Sequence, residues 1–363
     1  MKILPCTRDH VAEVVELLLG RRQGADAAER WRLAGYLEEV YFDNPWHDPE
    51  LPSLVCEDAN GRIDGFLGVI PRPMTARTGE PVRAAATSNF KVRGNPLAAV
   101  RLLRTFFAGP QDLSVANGAN PSSKKIWEAC GGISVPLCSL DWFRPIRPAR
   151  AALELAAQQR TRPLPSGMRQ LADLADLVGG RPLARRHMPD GKAPGHSLRE
   201  LDEAMAVEAL AKAPQFDVCP VYEPPAFRWL LEMSRKKAIA GMLRSVAVRD
   251  EARQRDIGWF VYYQKKPRVA EVLQLVALEG RLDAVLRAAI RDAAGHGVAL
   301  LRGDVDARNL QAYRDAVCLL NSGRWMLVHA REPAILETFR QGRALFTALD
   351  GERWIMEVGR EMI

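Results

Sequence analysis

The stretch Ser88-Asn89-Phe90-Lys91-Val92-Arg93-Gly94-Asn95-Pro96 has the composition of an anion-binding turn. Its pattern predicts a strand that ends in Arg-Gly and turns directly into an apolar helix. Backbone N–H groups at the start of a helix point outward, and the helix dipole adds partial positive charge there. Gly94 would let the backbone approach an anion closely, and Arg93 could add a charge-assisted hydrogen bond. The stretch indicates a phosphate or pyrophosphate site, although such an Arg-Gly pair also occurs in ordinary turns.

A second motif follows the next predicted strand, Leu113–Asn117. It reads Asn120-Pro121-Ser122-Ser123-Lys124-Lys125-Ile126-Trp127-Glu128-Ala129-Cys130-Gly131-Gly132. This motif resembles the N-x-x-A-x-x-L-Y-x-x-x-G-F pattern of the GNAT superfamily of acyl-CoA-dependent N-acyltransferases. The predicted order of strand, helix, hairpin, phosphate-loop helix, strand and Asn-led helix resembles that family as well. The resemblance covers residues 1–145 well and 201–363 more loosely, so the chain looks like a tandem GNAT-like protein.

The resemblance implies that the chain uses acetyl-CoA or another acyl-CoA as co-substrate. Along the pantetheine arm it would place Phe90, Lys91 and Val92. Backbone amides of that strand segment would also stabilise the oxyanion. At the pyrophosphate it would place Arg93, Gly94 and Asn95. Against the cofactor arm it would place Asn120, with Ser123 nearby.

The sequence departs from the family pattern in three ways. The phosphate loop is short and has Pro96, which lacks an amide donor, where the family often has a second glycine. Trp127 replaces the family's frequent tyrosine, and an indole cannot act as a general acid at neutral pH. In the second half, the strand 269–277 runs toward Glu279, which would repel an anion. If only one half binds CoA, we therefore expect it to be the first.

No residue is assigned as catalytic acid or base from the sequence. His47 could act as a base with Asp48 orienting it, because the two precede the first predicted hairpin. Loop polarity explains the same pair better. The motifs also specify neither the amine acceptor nor the length of the acyl chain.

The expected fold class is α/β (α+β in a stricter scheme), with two tandem GNAT-like mixed-sheet domains. Residues 1–145 would form a GNAT-like domain with the acyl-CoA site, and 201–363 a second, degenerate one. Residues 146–200 would form a helical, Pro- and Arg-rich connector. From Arg144 to Lys192 the sequence has ten basic and four acidic residues, so most of the net charge of +7 lies there.

The periodicity predicts a similar succession of elements in both regions. The first region has predicted helices over 8–19, 26–41, 96–107 and 121–130 and strands over 3–5, 54–56, 63–76, 82–92, 113–117 and 133–143. The second has predicted strands over 243–248, 257–264, 269–277, 299–302 and 325–328 and helices over 280–294 and 309–320. The connector has predicted helices over 149–160 and 168–178 and an exposed loop near 187–197. Asp350–Trp354 predicts a tight turn that leads into a terminal strand.

The composition excludes several classes of protein. The chain has 363 residues, of which 47% are hydrophobic and 26% charged, as in globular proteins and unlike disordered or collagen-like chains. Its six cysteines form no CxxC pair, and its six histidines have no HxxxH or HxH spacing, so no metal site is expected. The basic segment lacks interleaved aromatic residues, which disfavours nucleic acid as a partner. Without a predicted leader or spanning segment, we expect a soluble, cytoplasmic protein with no membrane partner.

Three functions remain open at this point. The leading hypothesis is an acyl-CoA-dependent N-acyltransferase, acetyltransferase-like, that moves an acyl group from CoA to an amine acceptor. One alternative is a catalytically degenerate GNAT-fold protein that binds or scaffolds partners. Another is a tRNA-dependent aminoacyl-transferase of the tandem-GNAT type, whose basic connector would hold RNA. Whether the protein forms a homo-oligomer is also left open.

Overall fold

The structure is a computed structural model, and its backbone separates into two compact units. Unit 1 comprises Met1–Ser139, Phe216–Ser234 and Arg324–Ile363, and unit 2 comprises Leu140–Gln215 and Arg235–Gly323. The residues that the structure describes are 1–20, 26–158, 165, 167–187, 195–211, 216–237, 240–264, 269–322 and 324–355. Both units are discontinuous in sequence, unlike the linear division into 1–145, 146–200 and 201–363.

Strands and helices alternate along most of the chain. The strands are β1 Lys2–Pro5, β2 Leu54–Glu57, β3 Ile63–Ala76, β4 Pro81–Val92, β5 Leu113–Ala119, β6 Ile133–Ser134, β7 Leu140–Pro145, β8 His196–Glu200, β9 Val218–Pro220, β10 Met242–Asp250, β11 Arg255–Gln264, β12 Val269–Ala277, β13 Leu300–Asp304, β14 Leu319–Ser322 and β15 Trp325–Ala330. The helices are α1 Val11–Leu19, α2 Ala27–Tyr41, α3 Pro96–Phe107, α4 Pro121–Ala129, α5 Pro148–Gln158, α6 Met168–His187, α7 Glu203–Ala211, α8 Pro224–Arg235, α9 Leu282–Gly295, α10 Leu310–Asp315 and α11 Pro333–Arg340. Among the described residues, short 3-10 turns are found at Arg8–His10, Leu137–Ser139 and Ala307–Asn309.

Unit 1 is built on a mixed sheet of eight described strands. Their order is β1-β2-β3-β4-β5-β15-β6, and β9 pairs with the end of β3. Neighbouring strands are antiparallel except β4 and β5, which are parallel. The strand expected over 325–328 is present as β15, but it lies in this sheet, between β5 and β6, rather than with the second half of the chain. Its fully buried Leu327 and Val328 explain the placement, since they belong to the core of unit 1.

Helix α3 covers one face of this sheet. It begins with Pro96 at its first turn, and the Asn95 side chain caps it by accepting a hydrogen bond from the Leu97 N–H group at 3.0 Å. Its apolar residues recur at helical spacing and are buried, among them Leu102, which is fully enclosed, and Leu103. The helix therefore fixes the end of β4 against the core.

Unit 2 contains the second mixed sheet, in the order β14-β7-β13-β12-β11-β10-β8. Its core is formed by β11, β12 and α9 and includes Trp142, Phe260 and Tyr262. Strand β12 is parallel to β13, and the other pairs are antiparallel. Two sheets of this kind confirm the expected fold class, α/β with mixed sheets.

Some expected elements differ from the structure. The helix expected over 309–320 ends at Asp315, because Val317 has a left-handed backbone with φ of 55° and Leu319–Ser322 pairs with β7 as an edge strand. The final strands expected over 133–143 are divided, since β6 pairs with β15 and β7 pairs with β13 and β14.

The connector differs as well. Helix α6 extends to His187, beyond the predicted end at 178. Part of the expected loop over 187–197 is strand β8, because residues 196–200 hydrogen-bond to β10, whereas 188–194 lie outside the described residues. None of the described helices is long and apolar enough to cross a membrane.

Close contact between α2 and β3 gives a first prediction. A Cβ atom at Gly68 would overlap the Tyr41 hydroxyl oxygen, so Gly68→Ala must displace the ring. We expect it to lower the free energy of unfolding by about 1–3 kcal/mol. As a control, Gly35→Ala in α2 has nothing within 4 Å of the new methyl group and should stabilise the helix by about 0.5–1 kcal/mol. Urea unfolding measures both, and an unchanged stability of Gly68→Ala would contradict this packing.

Candidate active site

Strands β4 and β5 form a fork. They pair in parallel over only three residue pairs, from Ala84 with Leu113 to Ala86 with Val115, although both strands continue. Beyond that point a cavity of about 280 Å³ opens in unit 1. Its lining consists of Leu67, Thr87, Ser88, Asn89, Phe90, Leu103, Ala116, Gly118, Ala119, Asn120, Ser123, Trp127, Leu327, Glu352 and Ile355. The lining is apolar beneath α3 and α4 and polar along the two strand ends.

A bulge interrupts β4 at this cavity. Phe66 is opposite Lys91 and Gly68 is opposite Ser88, so two residues of β4, Asn89 and Phe90, face one residue of β3. Asn89 has a left-handed backbone with φ of 49°, which asparagine tolerates better than most residues. A bulge leaves its extra residue outside the regular ladder of hydrogen bonds. Backbone amide groups are thereby available at the fork.

Tyr41 holds this bulge through hydrogen bonds to two side chains of β4. Its hydroxyl is hydrogen-bonded to Ser88 Oγ at 2.9 Å and accepts a hydrogen bond from Asn89 Nδ2 at 3.0 Å. The ring is buried, and burial raises the pKa of Tyr41, with a smaller contribution from the negative charge of Glu352. The tyrosine therefore stays neutral and keeps its hydroxyl proton for the hydrogen-bond network.

A second bulge lies opposite, on β5. Met326 pairs with Asn117 and Trp325 with Ala119, so Gly118, with φ of 107°, has no direct partner on β15. The Asn117 side chain is 2% exposed and points toward the C-terminal segment. Its Nδ2 atom donates to the Thr347 carbonyl and its Oδ1 atom accepts from the Glu352 N–H group, both at 3.0 Å. These two bonds attach residues 347–352 to the fork.

The attached segment brings Glu352 to the cavity. A Cβ atom at Gly118 would lie 3.4 Å from Glu352 Oε1, so the carboxylate lies beside the β5 bulge. Gly351 is required for the attachment, because a Cβ atom there would overlap Asn117 Oδ1. Sequence reasoning missed Glu352, since Asp350–Trp354 indicated only a tight turn. The turn is present, and the strand expected to follow it lies outside the described residues.

Buried polar groups also hold residues 347–352 in place. The Asp350 carboxylate is fully buried and accepts hydrogen bonds from the Thr347 N–H group at 2.7 Å, from its hydroxyl at 2.6 Å, and from the Tyr222 hydroxyl. Arg72 Nε donates to the Asp350 carbonyl at 2.7 Å, and its guanidinium carbon lies 4.1 Å from the centre of the Trp46 ring. Burial raises the pKa of Asp350 and lowers that of Arg72 to about 10.

The start of α4 forms another wall of the cavity. Asn120 caps the helix, and its Oδ1 atom accepts hydrogen bonds from the Ser122 and Ser123 N–H groups at 2.9 Å each. Trp127, one helical turn further, is 3% exposed and packs edge-on against Phe107 at 4.8 Å. Phe90, Asn120 and Ser123, which the sequence motifs singled out, are therefore brought together in one cavity.

The other singled-out residues follow β4 away from the cavity lining. Lys91 is exposed, and Val92 packs on the core beneath α3. They lead into the loop of Arg93, Gly94 and Asn95, where Gly94 has φ of 69°. The Arg93 N–H group donates to the Asp64 carbonyl at 2.7 Å, whereas no hydrogen bond within the described residues occupies the N–H groups of Gly94 and Asn95. The roles of these five residues toward a cofactor stay predictions.

The pair that the sequence suggested for proton transfer, His47 with Asp48, lies outside the cavity. Asp48, beside His47, binds Arg83, whose Nε atom is 3.0 Å from the carboxylate. Glu50 binds the same guanidinium at 2.8 Å, and neither His47 nor Asp48 lines the cavity. This geometry supports the interpretation of His47 and Asp48 as polar loop residues.

Unit 2 has a similar pattern of strand pairing, but a side chain occupies the space beyond the paired residues. Strands β12 and β13 also pair in parallel over three residue pairs, ending at Glu271 with Arg302. Just beyond, a Cβ atom at Gly303 would lie 2.9 Å from the Val272 side chain and 3.1 Å from Trp142 Nε1. The buried Trp142 ring thus packs over the glycine where the fork would begin.

Solved structures resemble this chain over nearly its whole length. A probable N-acyltransferase of unknown function from Enterococcus faecalis has a TM-score of 0.55 and 10% identity, and the match covers 93% of this chain and 74% of that one. N-myristoyltransferase of Saccharomyces cerevisiae with bound myristoyl-CoA has a TM-score of 0.52 and 12% identity, covering 91% and 78%. A GCN5-related N-acetyltransferase from Anabaena variabilis has a TM-score of 0.56 and 12% identity, covering 90% and 72%.

These likenesses show the fold. The sequence matches no protein-family model and no curated protein sequence, so the structural comparison stands alone. The chain has the fold of the GNAT superfamily, as the motifs at Ser88–Pro96 and Asn120–Gly132 predicted. Solved structures with this fold include N-acetyltransferases and an N-myristoyltransferase that binds an acyl-CoA.

The bulge in β4 gives a second prediction. Asn89→Ala removes the hydrogen bond to Tyr41, which costs about 1 kcal/mol. It also places alanine, which has no polar side chain to offset the strain, in a left-handed backbone, and this strain costs about 1–2 kcal/mol. Asn89→Gly removes the same bond but adopts this backbone without strain. We expect Asn89→Ala to be the less stable variant in urea unfolding. Equal or reversed stabilities would show that the left-handed bulge is absent in solution.

Proposed function

We propose that the protein is an acyl-CoA-dependent N-acyltransferase whose donor site is the cavity of unit 1. The observation that carries the proposal is the fork between β4 and β5, with a bulge on each strand and a cavity between them. A fork exposes backbone donors and acceptors that a regular sheet would consume in pairing. An extended pantetheine arm carries amide groups and can bind such strand edges. The fold of known acyltransferases supports the same reading.

The bulge supplies the group that the chemistry requires. Attack of an amine on a thioester places negative charge on the carbonyl oxygen, and a fixed backbone N–H group at the bulge would stabilise that charge. Tyr41 and Ser88 hold the bulge through the hydrogen bond between their hydroxyl groups. In this proposal Phe90, Lys91 and Val92 follow the pantetheine arm, and Asn120 and Ser123 contact it from α4.

The pyrophosphate would lie at the loop between β4 and α3. Gly94 and Asn95 have N–H groups without a partner among the described residues, and Arg93 adds positive charge. The cap by Asn95 consumes one donor, and Pro96 removes another, so the loop offers fewer amide groups than a full phosphate cradle. Unit 2 is not proposed as a donor site, because Trp142 packs at its fork and Glu279 follows β12.

A cofactor titration is the third prediction. At about 100 times its dissociation constant, acetyl-CoA should stabilise the protein by about 2.7 kcal/mol, seen as a melting temperature several degrees higher. Gly94→Asp should abolish the shift, because a carboxylate would repel the pyrophosphate. Gly79→Asp is the matched control, since both glycines have positive φ, 69° and 89°, and open space around a new Cβ atom. The control should keep the full shift.

The outcomes separate the donor and the alternatives. Myristoyl-CoA and free CoA titrated in the same way would distinguish an acetyl donor from a longer acyl group. Binding without turnover of any amine would favour a degenerate binding protein. No shift with any of the three ligands would overturn the proposal, and steeply salt-dependent tRNA binding would then favour an aminoacyl-transferase. A cytoplasmic location and acetyl-CoA as the particular donor are part of the proposal.

A further inference from the structure

We infer that helix α6 in unit 2 binds an anionic lipid surface through its exposed aliphatic side chains. These are Leu171, Leu174, Leu177 and Val178, whose exposed fractions are 66%, 56%, 60% and 75%. At helical spacing, positions 171, 174 and 178 fall on one line along the helix, with 177 beside it, and we call the four residues the α6 stripe. Single exposed leucines are common on protein surfaces, but four large aliphatic side chains on two turns of one helix indicate an interaction surface.

The inner face of α6, which packs against α5, is polar instead. Asp176 accepts hydrogen bonds from the Ala149 and Arg150 N–H groups at the start of α5, at 2.8 and 2.9 Å. Asp173 accepts a hydrogen bond from Arg150 Nη1 at 2.7 Å. At helical spacing, both aspartates lie on the side of α6 opposite the stripe. A helix on a water-covered surface normally has the reverse arrangement, with its apolar side against the protein.

The contacts between α5 and α6 include buried ion pairs. The Arg150 side chain is almost fully buried and binds Glu154 at 3.0 Å as well as Asp173. Arg169 binds the same Glu154 carboxylate at 3.2 Å. Buried ion pairs stabilise a fold little, because removing the charges from water costs about as much free energy as their attraction gains. Burying charges while exposing leucines is unfavourable in water, and an apolar surface that covers the α6 stripe explains this arrangement.

The charges of α6 indicate the sign of that surface. The helix has two acidic residues, and both are the aspartates that bind α5. It also has four arginines, at positions 169, 181, 185 and 186. A bilayer with anionic headgroups presents negative charge and apolar chains together, which matches an aliphatic stripe on an arginine-rich helix.

Other occupants fit the α6 stripe less well. The helix has arginine in its first turn and in its last two turns, so two copies packed through their stripes bring arginine near arginine in either orientation. Such placement of like charges opposes association. A nucleic acid supplies negative charge but no aliphatic surface, and a partner protein needs an acidic groove shaped to a convex helix. A membrane needs no such matching shape.

A helix of this kind lies on a membrane without crossing it. Its axis would run parallel to the bilayer plane, with the stripe at the boundary between headgroups and acyl chains. The inference revises the expectation of no membrane partner, which rested on the lack of a predicted leader or spanning segment. It is independent of the proposed acyltransferase activity, because α6 belongs to unit 2 and the cavity to unit 1.

The test is a flotation assay of the full chain with vesicles of phosphatidylcholine alone or of an equal mixture with phosphatidylserine. We expect the protein to bind the mixed vesicles, more weakly at high salt, and to bind phosphatidylcholine alone at least about tenfold more weakly. Leu171→Gln/Leu174→Gln should lower binding to the mixed vesicles by about tenfold or more. Leu319→Gln/Leu320→Gln on β14 is the matched control, because these leucines of unit 2 are 62% and 46% exposed. The control should bind as the wild-type protein does.

Two further measurements complete the test. The melting temperature of the α6 variant should equal that of the wild-type protein, whereas a fall of several degrees would mean that the chain itself covers the stripe. Light scattering should show no dimer that the α6 variant converts into a monomer. Either of these contrary results overturns the inference, as does wild-type protein that does not bind the mixed vesicles, or an equal loss of binding in both double variants. Binding of a synthetic acidic amphipathic peptide in place of vesicles would assign the stripe to a protein partner and also overturn it.

Discussion

The early end of hydrogen bonding between β4 and β5 is the constraint on which the site depends. Continuous pairing would close the fork and consume its backbone groups, whereas three residue pairs leave both strand ends open. Open strand ends in a sheet interior are costly unless other contacts hold them. In this chain Tyr41 holds one end through Ser88 and Asn89, and Asn117 holds the other through the C-terminal segment.

In unit 2 the same strand pairing occurs, but side chains fill the space where the strands separate. Its parallel strands also separate after three residue pairs, but Trp142 and Val272 pack at Gly303. Trp142 comes from β7, which the chain places in the sheet of unit 2, while β15 enters the sheet of unit 1. Strand β9 from the second half of the sequence also pairs in the sheet of unit 1, so each sheet contains strands from both halves of the chain. The fork is open in unit 1 and filled in unit 2 because of side-chain size, since a tryptophan in unit 2 occupies the volume that a cofactor arm would need.

Local sequence signals predicted the elements that build the fork. The hairpin of β3 and β4, the proline at the start of α3 and the asparagine that caps α4 are all encoded within a few residues. Strand partners were not predictable in this way, since Trp325–Ala330 has the same local pattern in either sheet. Glu352 was missed for a related reason. Its carboxylate reaches the cavity through the bond between its backbone and Asn117, which lies 235 residues earlier.

The groups that hold the C-terminal segment are poor choices for stability alone. Asp350 and Arg72 are buried, and two nitrogens of the Arg72 guanidinium have no hydrogen-bond partner among the described residues. Burying such groups costs free energy, which stacking on Trp46 offsets only in part. Apolar residues of similar volume often replace a buried ionic group without loss of stability. They could not accept hydrogen bonds from Thr347 or orient Gly351, however, so the position of Glu352 depends on them. The polar cluster therefore fixes the turn of residues 347–352 that Asn117 attaches to the fork.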